Sequence, residues 1–224
     1  SVQHRMHPLL WEMISRAFYQ RVRSSATGTL DTPMPQVVHG FSRLAERNIE
    51  KRPLLFVDVP RLASGQFRKS GNGYALAYAE VDAVCEVRDK LDLMGRGPSN
   101  LAVLTPYRRQ VALLRDRIQK SEGADKVVHT VDSFQGNQAD VVIVSLVRNN
   151  REREWSKMLG FLREKQRTNV LLSRAKKLLI LVGCWDFFFD VAKAEQSFRP
   201  EDQTWAKIIP FLAQHALRLR AESL

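Results

Sequence analysis

Five short runs along the chain are apolar at nearly every position: Leu54–Val59 (LLFVDV), Leu101–Thr105 (LAVLT), Val127–Val131 (VVHTV), Val141–Val147 (VVIVSLV) and Leu178–Gly183 (LLILVG). Unbroken apolarity over so few residues fits strands buried on both sides, as in a parallel sheet. Helical spacing lies between them. Ala77, Val81, Val84 and Leu91 share one face of a helix spanning about 75–93. Val111, Leu114 and Ile118 do the same between Arg108 and Lys120. Pro8–Tyr19 reads as an opening helix with Pro at its first turn, and Thr204 as the cap of a closing helix through Leu217. Alternating strands and helices predict an open α/β fold, a mostly parallel sheet with helices on both faces. Ligands of such sheets gather at the carboxyl ends of strands. TPY, DSFQG and RNN each follow a predicted strand there. Two stretches rich in small and polar residues, near 24–41 and 61–73, read as loops.

Composition changes the picture in three ways. A chain of 224 residues with 44% hydrophobic content suits a single domain, 1–224, with a real core. The net charge of +11 favours a polyanionic partner. Cys85 and Cys184 stand far apart with no CxxC pair, so neither a zinc site nor a disulfide framework is expected. No segment is long and apolar enough to span a membrane. The expected setting is intracellular, cytoplasmic or nuclear, with reduced thiols. The start at Ser1, inside a motif-like stretch, reads as part of a longer protein.

Three stretches carry candidate chemistry. Arg174, in SRAKK before LLILVG, offers a planar, permanently charged fork for phosphate oxygens, placed at the end of a helix; the plain alternative is a solvated arginine. In Gln3-His4-Arg5-Met6-His7-Pro8, Arg5 is a second phosphate arginine and Gln3 a hydrogen-bonding partner for a nucleotide or its water; the alternative is a basic, proline-capped helix start. In VDSFQG, Gly136 permits a tight turn, while Gln135 and Gln138 can address a ribose or phosphate edge; the alternative is ordinary turn chemistry.

Together these stretches resemble superfamily 1 helicases of the nonsense-mediated-decay and senataxin type. The C-terminal motor domain of that family carries QYRMHP, ITPY, VDxFQGxExD and LNVALTRAK. This chain has QHRMHP, LTPY, VDSFQGNQAD and TNVLLSRAK, in the same order from Ser1 to about Gly183. The resemblance implies the second RecA-like domain of a two-domain motor, with Arg5 and Arg174 reaching the γ-phosphate of ATP. It implies adenine stacking at His4, where the family has tyrosine, and a ribose contact at Gln138, where it has glutamate. Gln166 stands where the family has a basic residue; Arg167 keeps the next one. The implied path of single-stranded RNA or DNA gives Thr105, Pro106, Tyr107, Thr130, Val131, Arg148 and Asn149 as candidates. Tyr107 is either a stacking ring or a tyrosine packed on the next helix.

No G-x-x-x-x-G-K-[ST] stretch occurs, so the phosphate cradle and the Mg²⁺ ligands are expected in an upstream RecA-like domain, the implied partner. The chain alone is then expected to be inactive toward ATP. Two other classes stay open: a nucleic-acid-binding scaffold from an inactive motor, suggested by Gln138 and Gln166, and a protein-interaction module with a basic face.

Overall fold

The computed structural model describes residues 6–19, 52–62, 77–92, 100–118 and 124–224. The apolar runs pair side by side. In chain order the strands are β1 (Leu54–Asp58), β2 (Leu101–Thr105), β3 (Val128–Thr130), β4 (Ala139–Ser145), β5 (Ala175–Gly183) and β6 (Leu217–Arg220). They form one sheet in the order β3-β2-β4-β5-β1-β6, and every pairing is parallel. The helices are α1 (Pro8–Phe18), α2 (Tyr78–Asp92), α3 (Arg108–Ile118), α4 (Ala124–Val127), α5 (Trp155–Leu159), α6 (Lys165–Leu172), α7 (Trp185–Glu195) and α8 (Trp205–His215). From β1 to β2 the chain crosses the sheet one way, and from β4 to β5 it crosses the other way. Right-handed crossovers therefore set α2 and α3 on one face and α5 to α8 on the other.

The four central strands are buried on both sides because nearly all their side chains are aliphatic. On the α7–α8 face, Phe187 and Phe188 are fully buried, and the Phe188 ring packs 4.4 Å from the Trp205 indole. Aromatics of this size contribute much of the burial that holds such a layer.

The structure corrects several predicted boundaries. Helix α6 ends at Leu172, where the Ser173 N–H donates to the Asn169 carbonyl. Residues Ala175–Lys177 of SRAKK open β5, because Ala175 pairs with Ala139 at the start of β4. Arg174 thus sits in the bend between helix and strand. Strand β4 leaves the ladder at Ser145, two residues earlier than its apolar run suggests. Val127 belongs to α4. The closing helix stops at His215, and Leu217–Arg220 forms an edge strand beside β1. Leu217 is buried while Arg218 and Arg220 point outward, the alternation expected of an edge. The predicted loop at 24–41 and most of the one at 61–73 lie outside the described residues.

One buried polar cluster lies between α2, α3 and β4. Gln110 both accepts from the Ala77 N–H and donates to the Ala77 carbonyl. It also donates to Ser145 Oγ, which in turn donates to Glu80 Oε2 at 2.6 Å. Burial pushes the Glu80 carboxyl up to about 8, against an ordinary 4.5. Between these values the folded protein keeps a proton that the unfolded chain has released. This group therefore lowers stability as pH rises through the window, and its effect levels off above about 8. Glu80→Gln keeps an acceptor for the same bonds and removes the titration. The melting temperature of Glu80→Gln relative to wild type should climb between about pH 5 and 8.5; a constant difference across that range would contradict the assignment.

Candidate functional site

The parallel sheet sorts the motif residues onto two edges. Strand β4 begins with Ala139 and ends with Ser145, so its ends stand roughly 20 Å apart at ~3.3 Å per residue.

At the amino edge, the segment leading into β4 meets the end of α6, where the Asn137 carbonyl and the Ala139 N–H stand beside Arg174. Arg174 is half-buried. Its guanidinium donates to the Val170 carbonyl (3.0 Å), the Asn137 carbonyl (3.3 Å) and Ser173 Oγ (3.0 Å). Its own carbonyl accepts from the Ala139 N–H. Burial lowers its pKa from the usual value, yet a guanidinium with so high a starting point stays charged. The fork has five N–H donors, so part of it remains for an anion. The 131–136 turn starts at the carboxyl end of β3, where the Val131 N–H donates to the Thr105 carbonyl, and leads back to Asn137 at the amino edge. Local bonds build it: Thr130 N–H donates to Ser133 Oγ, and Phe134 N–H donates to the Thr130 carbonyl. Gly136 takes φ +86°, and nothing lies within 4 Å of where a Cβ would stand. Its glycine is needed for backbone conformation, not for space. Gln135 and Gly136 are exposed, and Gln138 is half-buried. Arg167 reaches from α6 to Asp132 of the turn at 3.9 Å and lies over the Phe161 ring.

The third motif arrives at the same edge. The His7 N–H donates to the Lys176 carbonyl at 2.8 Å. The Asn169 amide donates to the Tyr19 hydroxyl at 2.9 Å, tying the end of α1 to α6. Gln3, His4 and Arg5 lie outside the described residues. Arg5 precedes His7 by two residues in the sequence. The chain two residues past Arg5 is thus bonded to the chain two residues past Arg174.

At the carboxyl edge the candidates have a different character. Thr105, Pro106, Tyr107, Val131, Arg148 and Asn149 are buried, and Thr130 is half-buried. Tyr107, read as a stacking ring or a packed tyrosine, is only 7% exposed. Its hydroxyl accepts from Arg148 Nε at 2.6 Å and from the Phe161 N–H. The Arg148 guanidinium lies over the Tyr107 ring, 5.3 Å from its centre, and also donates to the Lys157 carbonyl. Asn149 accepts from the Leu62 N–H and donates to the Pro60 carbonyl. Asn150 donates to the Met158 carbonyl and accepts from the Glu152 N–H. Three consecutive polar side chains therefore stitch the segments following β1, β2 and β4 into one surface. The arginines that face solvent there are their neighbours Arg108, Arg109, Arg151 and Arg153, with Glu154 also exposed in the same segment. The basic clusters visible in the sequence contain these arginines, but sequence alone does not separate a buried Arg148 from an exposed Arg151.

Comparison with known proteins follows the motifs. The family described as "AAA domain" matches residues 1–186. The chain belongs to this AAA domain family. Its relatives include a "Regulator of nonsense transcripts 1 homolog" of Neurospora crassa, 30% identical over 81% of this chain and 16% of that protein. A "DNA polymerase alpha-associated DNA helicase A" of Schizosaccharomyces pombe is 28% identical over 82% of this chain and 27% of that protein. An uncharacterized ATP-dependent helicase of Methanocaldococcus jannaschii is 30% identical over 81% of this chain and 26% of that protein. The AAA domain thus spans about a quarter or less of the relatives it matches. Among solved structures, the C-terminal domain of a possible DNA helicase from Lactobacillus plantarum superposes with a TM-score of 0.46 at 13% identity, over 82% of this chain and 88% of that one. The names of the sequence relatives agree with the superfamily 1 helicase resemblance read from QHRMHP, LTPY, VDSFQG and TNVLLSRAK. Among the described residues no group of three or more His, Cys, Asp or Glu side chains could hold a metal ion, and no helix is long and apolar enough to cross a membrane.

Arg148 depends on a glycine. At Gly160, φ is +52° and an added Cβ would overlap the Arg148 guanidinium. Gly160→Ala should cost about 2–4 kcal/mol, combining left-handed strain with displacement of a buried charge. Gly136→Ala, with open space around it, should cost about 1 kcal/mol. Urea denaturation of both variants checks the order; equal losses would show that Arg148 has room to move.

Proposed function

We propose that this AAA domain is the second motor lobe of an ATP-dependent helicase acting on single-stranded RNA or DNA. The reading rests on one observation above all: the His7–Lys176 bond brings His7, in the described part of QHRMHP, to the amino edge that carries Arg174 and Asn137. His7, two residues past Arg5 in sequence, is bonded to Lys176, two residues past Arg174, and this supports a shared role for the two motifs. In this reading Arg5 and Arg174 turn toward the γ-phosphate of ATP held by an upstream RecA-like lobe, which also supplies the Mg²⁺ ligands. Arg174 then exchanges bonds to the Asn137 carbonyl and Ser173 hydroxyl for phosphate oxygens, trading neutral acceptors for charged ones. Gln3 orients the nucleophilic water, His4 stacks on adenine, and Gln135, Gly136 and Gln138 border the ribose. ATP supplies the phosphoryl transfer that opens and closes the cleft.

The strand runs along the carboxyl edge. Arg108, Arg109, Arg151 and Arg153 meet its phosphates there, on a surface that Tyr107, Arg148 and Asn149 shape from beneath. Thr105, Pro106, Thr130 and Val131 present turns and backbone to the same path. Binding of this kind weakens steeply with salt.

In the full-length protein, Arg174→Ala should lower ATP turnover by about 10³-fold. Arg174→Lys should recover little of it, because an ammonium lacks the two-pronged geometry. Single-strand affinity should stay near wild type in both. The isolated chain, lacking a G-x-x-x-x-G-K-[ST] loop, should hydrolyse no ATP by itself. Steady-state turnover and strand titration decide the matter; normal turnover in Arg174→Ala would remove Arg174 from the reaction.

A further inference from the structure

The carboxyl edge contains a strained turn that the reading above does not use. Val147 has φ +67°, a conformation that β-branched residues rarely adopt. The Arg148 N–H donates to the Leu146 carbonyl, two residues back, at 2.8 Å. A bond of that span around a positive φ makes the rarer, strained hand of γ-turn. Among the non-glycine residues described, Val147 alone has a positive φ. It begins the segment whose next three side chains, Arg148, Asn149 and Asn150, tie the carboxyl edge together.

The restraint on this turn comes from α2. Glu80 is 1% exposed, and its Oε2 accepts from the Val147 N–H at 2.8 Å as well as from Ser145 Oγ. Its other oxygen, also buried, has no partner among the described residues. A carboxyl placed in the interior to hold one amide and one hydroxyl is costly unless something requires it. Gln110 reinforces it from α3 through Ser145. Val147 also packs with Ala77, at the start of α2, and with Tyr107. The turn is therefore gripped through its amide by Glu80 and through its side chain by the elements on either side.

We infer that Glu80 is a positioning residue: its carboxyl holds Val147 in the strained turn and so sets the Arg148–Asn150 stitch that shapes the strand-binding edge. This rests on the proposed function for what the edge binds, but not for the latch itself. Without the Glu80 acceptor, the turn relaxes toward negative φ. Arg148 then leaves Tyr107, and Asn149 leaves the segment after β1. The edge loses its shape while Arg174 and His7, at the opposite end of β4, keep their places.

The test uses the full-length protein with two readouts: amide hydrogen exchange over residues 146–150, and the oligo(U) or oligo(dT) concentration giving half-maximal ATPase stimulation. Glu80→Gln, which keeps the acceptor, should resemble wild type in both. Glu80→Ala should speed exchange and raise the half-maximal concentration by about tenfold each, the scale of backbone strain of this kind. The KM for ATP without strand should not change. Glu80→Asp, one methylene short of the turn, should act alike and serves if the alanine variant fails to fold. Glycine accepts positive φ without restraint. In a Val147→Gly background the same Glu80 changes should therefore move either readout by less than about threefold, the non-additivity expected of coupled residues. Unchanged exchange in Glu80→Ala and Glu80→Asp, or equal effects in both backgrounds, would overturn the inference. If wild type shows no response to either oligonucleotide, the proposed function fails, and exchange alone still decides the role of Glu80.

Discussion

The pairing of β4 with β5 is the constraint on which the other features depend. It begins where the Ala139 N–H meets the Arg174 carbonyl and runs in parallel register to Ser145 and Val182. Because the strands are parallel, everything that enters them gathers at one edge and everything that leaves them at the other. Arg174 enters β5, and Asn137 and Gln138 enter β4, while the turn before them leaves β3 at the other edge. The Arg148–Asn150 stitch leaves β4. The central strands are buried on both sides, so sliding this pair would expose aliphatic surface and unpair buried backbone at once. The two edges are held at a fixed separation by a buried ladder of hydrogen bonds.

The two edges hold their polar groups differently. At the amino edge the guanidinium of Arg174 rests on neutral acceptors in a half-buried bend, an arrangement that a charged ligand can outbid. At the carboxyl edge the polar side chains are interior and committed to backbone partners in neighbouring segments. Removing one of those would leave a buried group unsatisfied. One edge suits a group that moves to meet a ligand, the other a shaped surface beneath exposed charges. The proposed division of labour between a nucleotide face and a strand face accords with that difference.

Much of this was legible in the sequence, for physical reasons. The apolar runs announce the central strands because burial on both faces leaves no polar positions. Gly136 marks the turn that leads from one edge to the other, and the TNVLLSRAK stretch marks the helix end at the amino edge. What was not legible depends on long-range contacts. Nothing local shows that Leu217–Arg220 pairs beside β1, since a four-residue edge strand with two arginines resembles a helix tail. That Ala175 to Lys177 are strand follows only from their register with Ala139. The burial of Tyr107 and Arg148 depends on Phe161 and Gly160, more than fifty and about twelve residues away respectively. Glu80 looks like a surface helix residue until β4 is laid against it.

Hydrogen exchange of the full-length protein, with a non-hydrolysable ATP analogue and with single strand added separately, tests the separation of the two edges most directly. The analogue alone should protect residues 1–7, 133–138 and 169–176 and leave 148–153 unchanged. The strand alone should protect 105–109 and 148–153. Protection of the carboxyl edge by the nucleotide, with none around Arg174, would contradict the account.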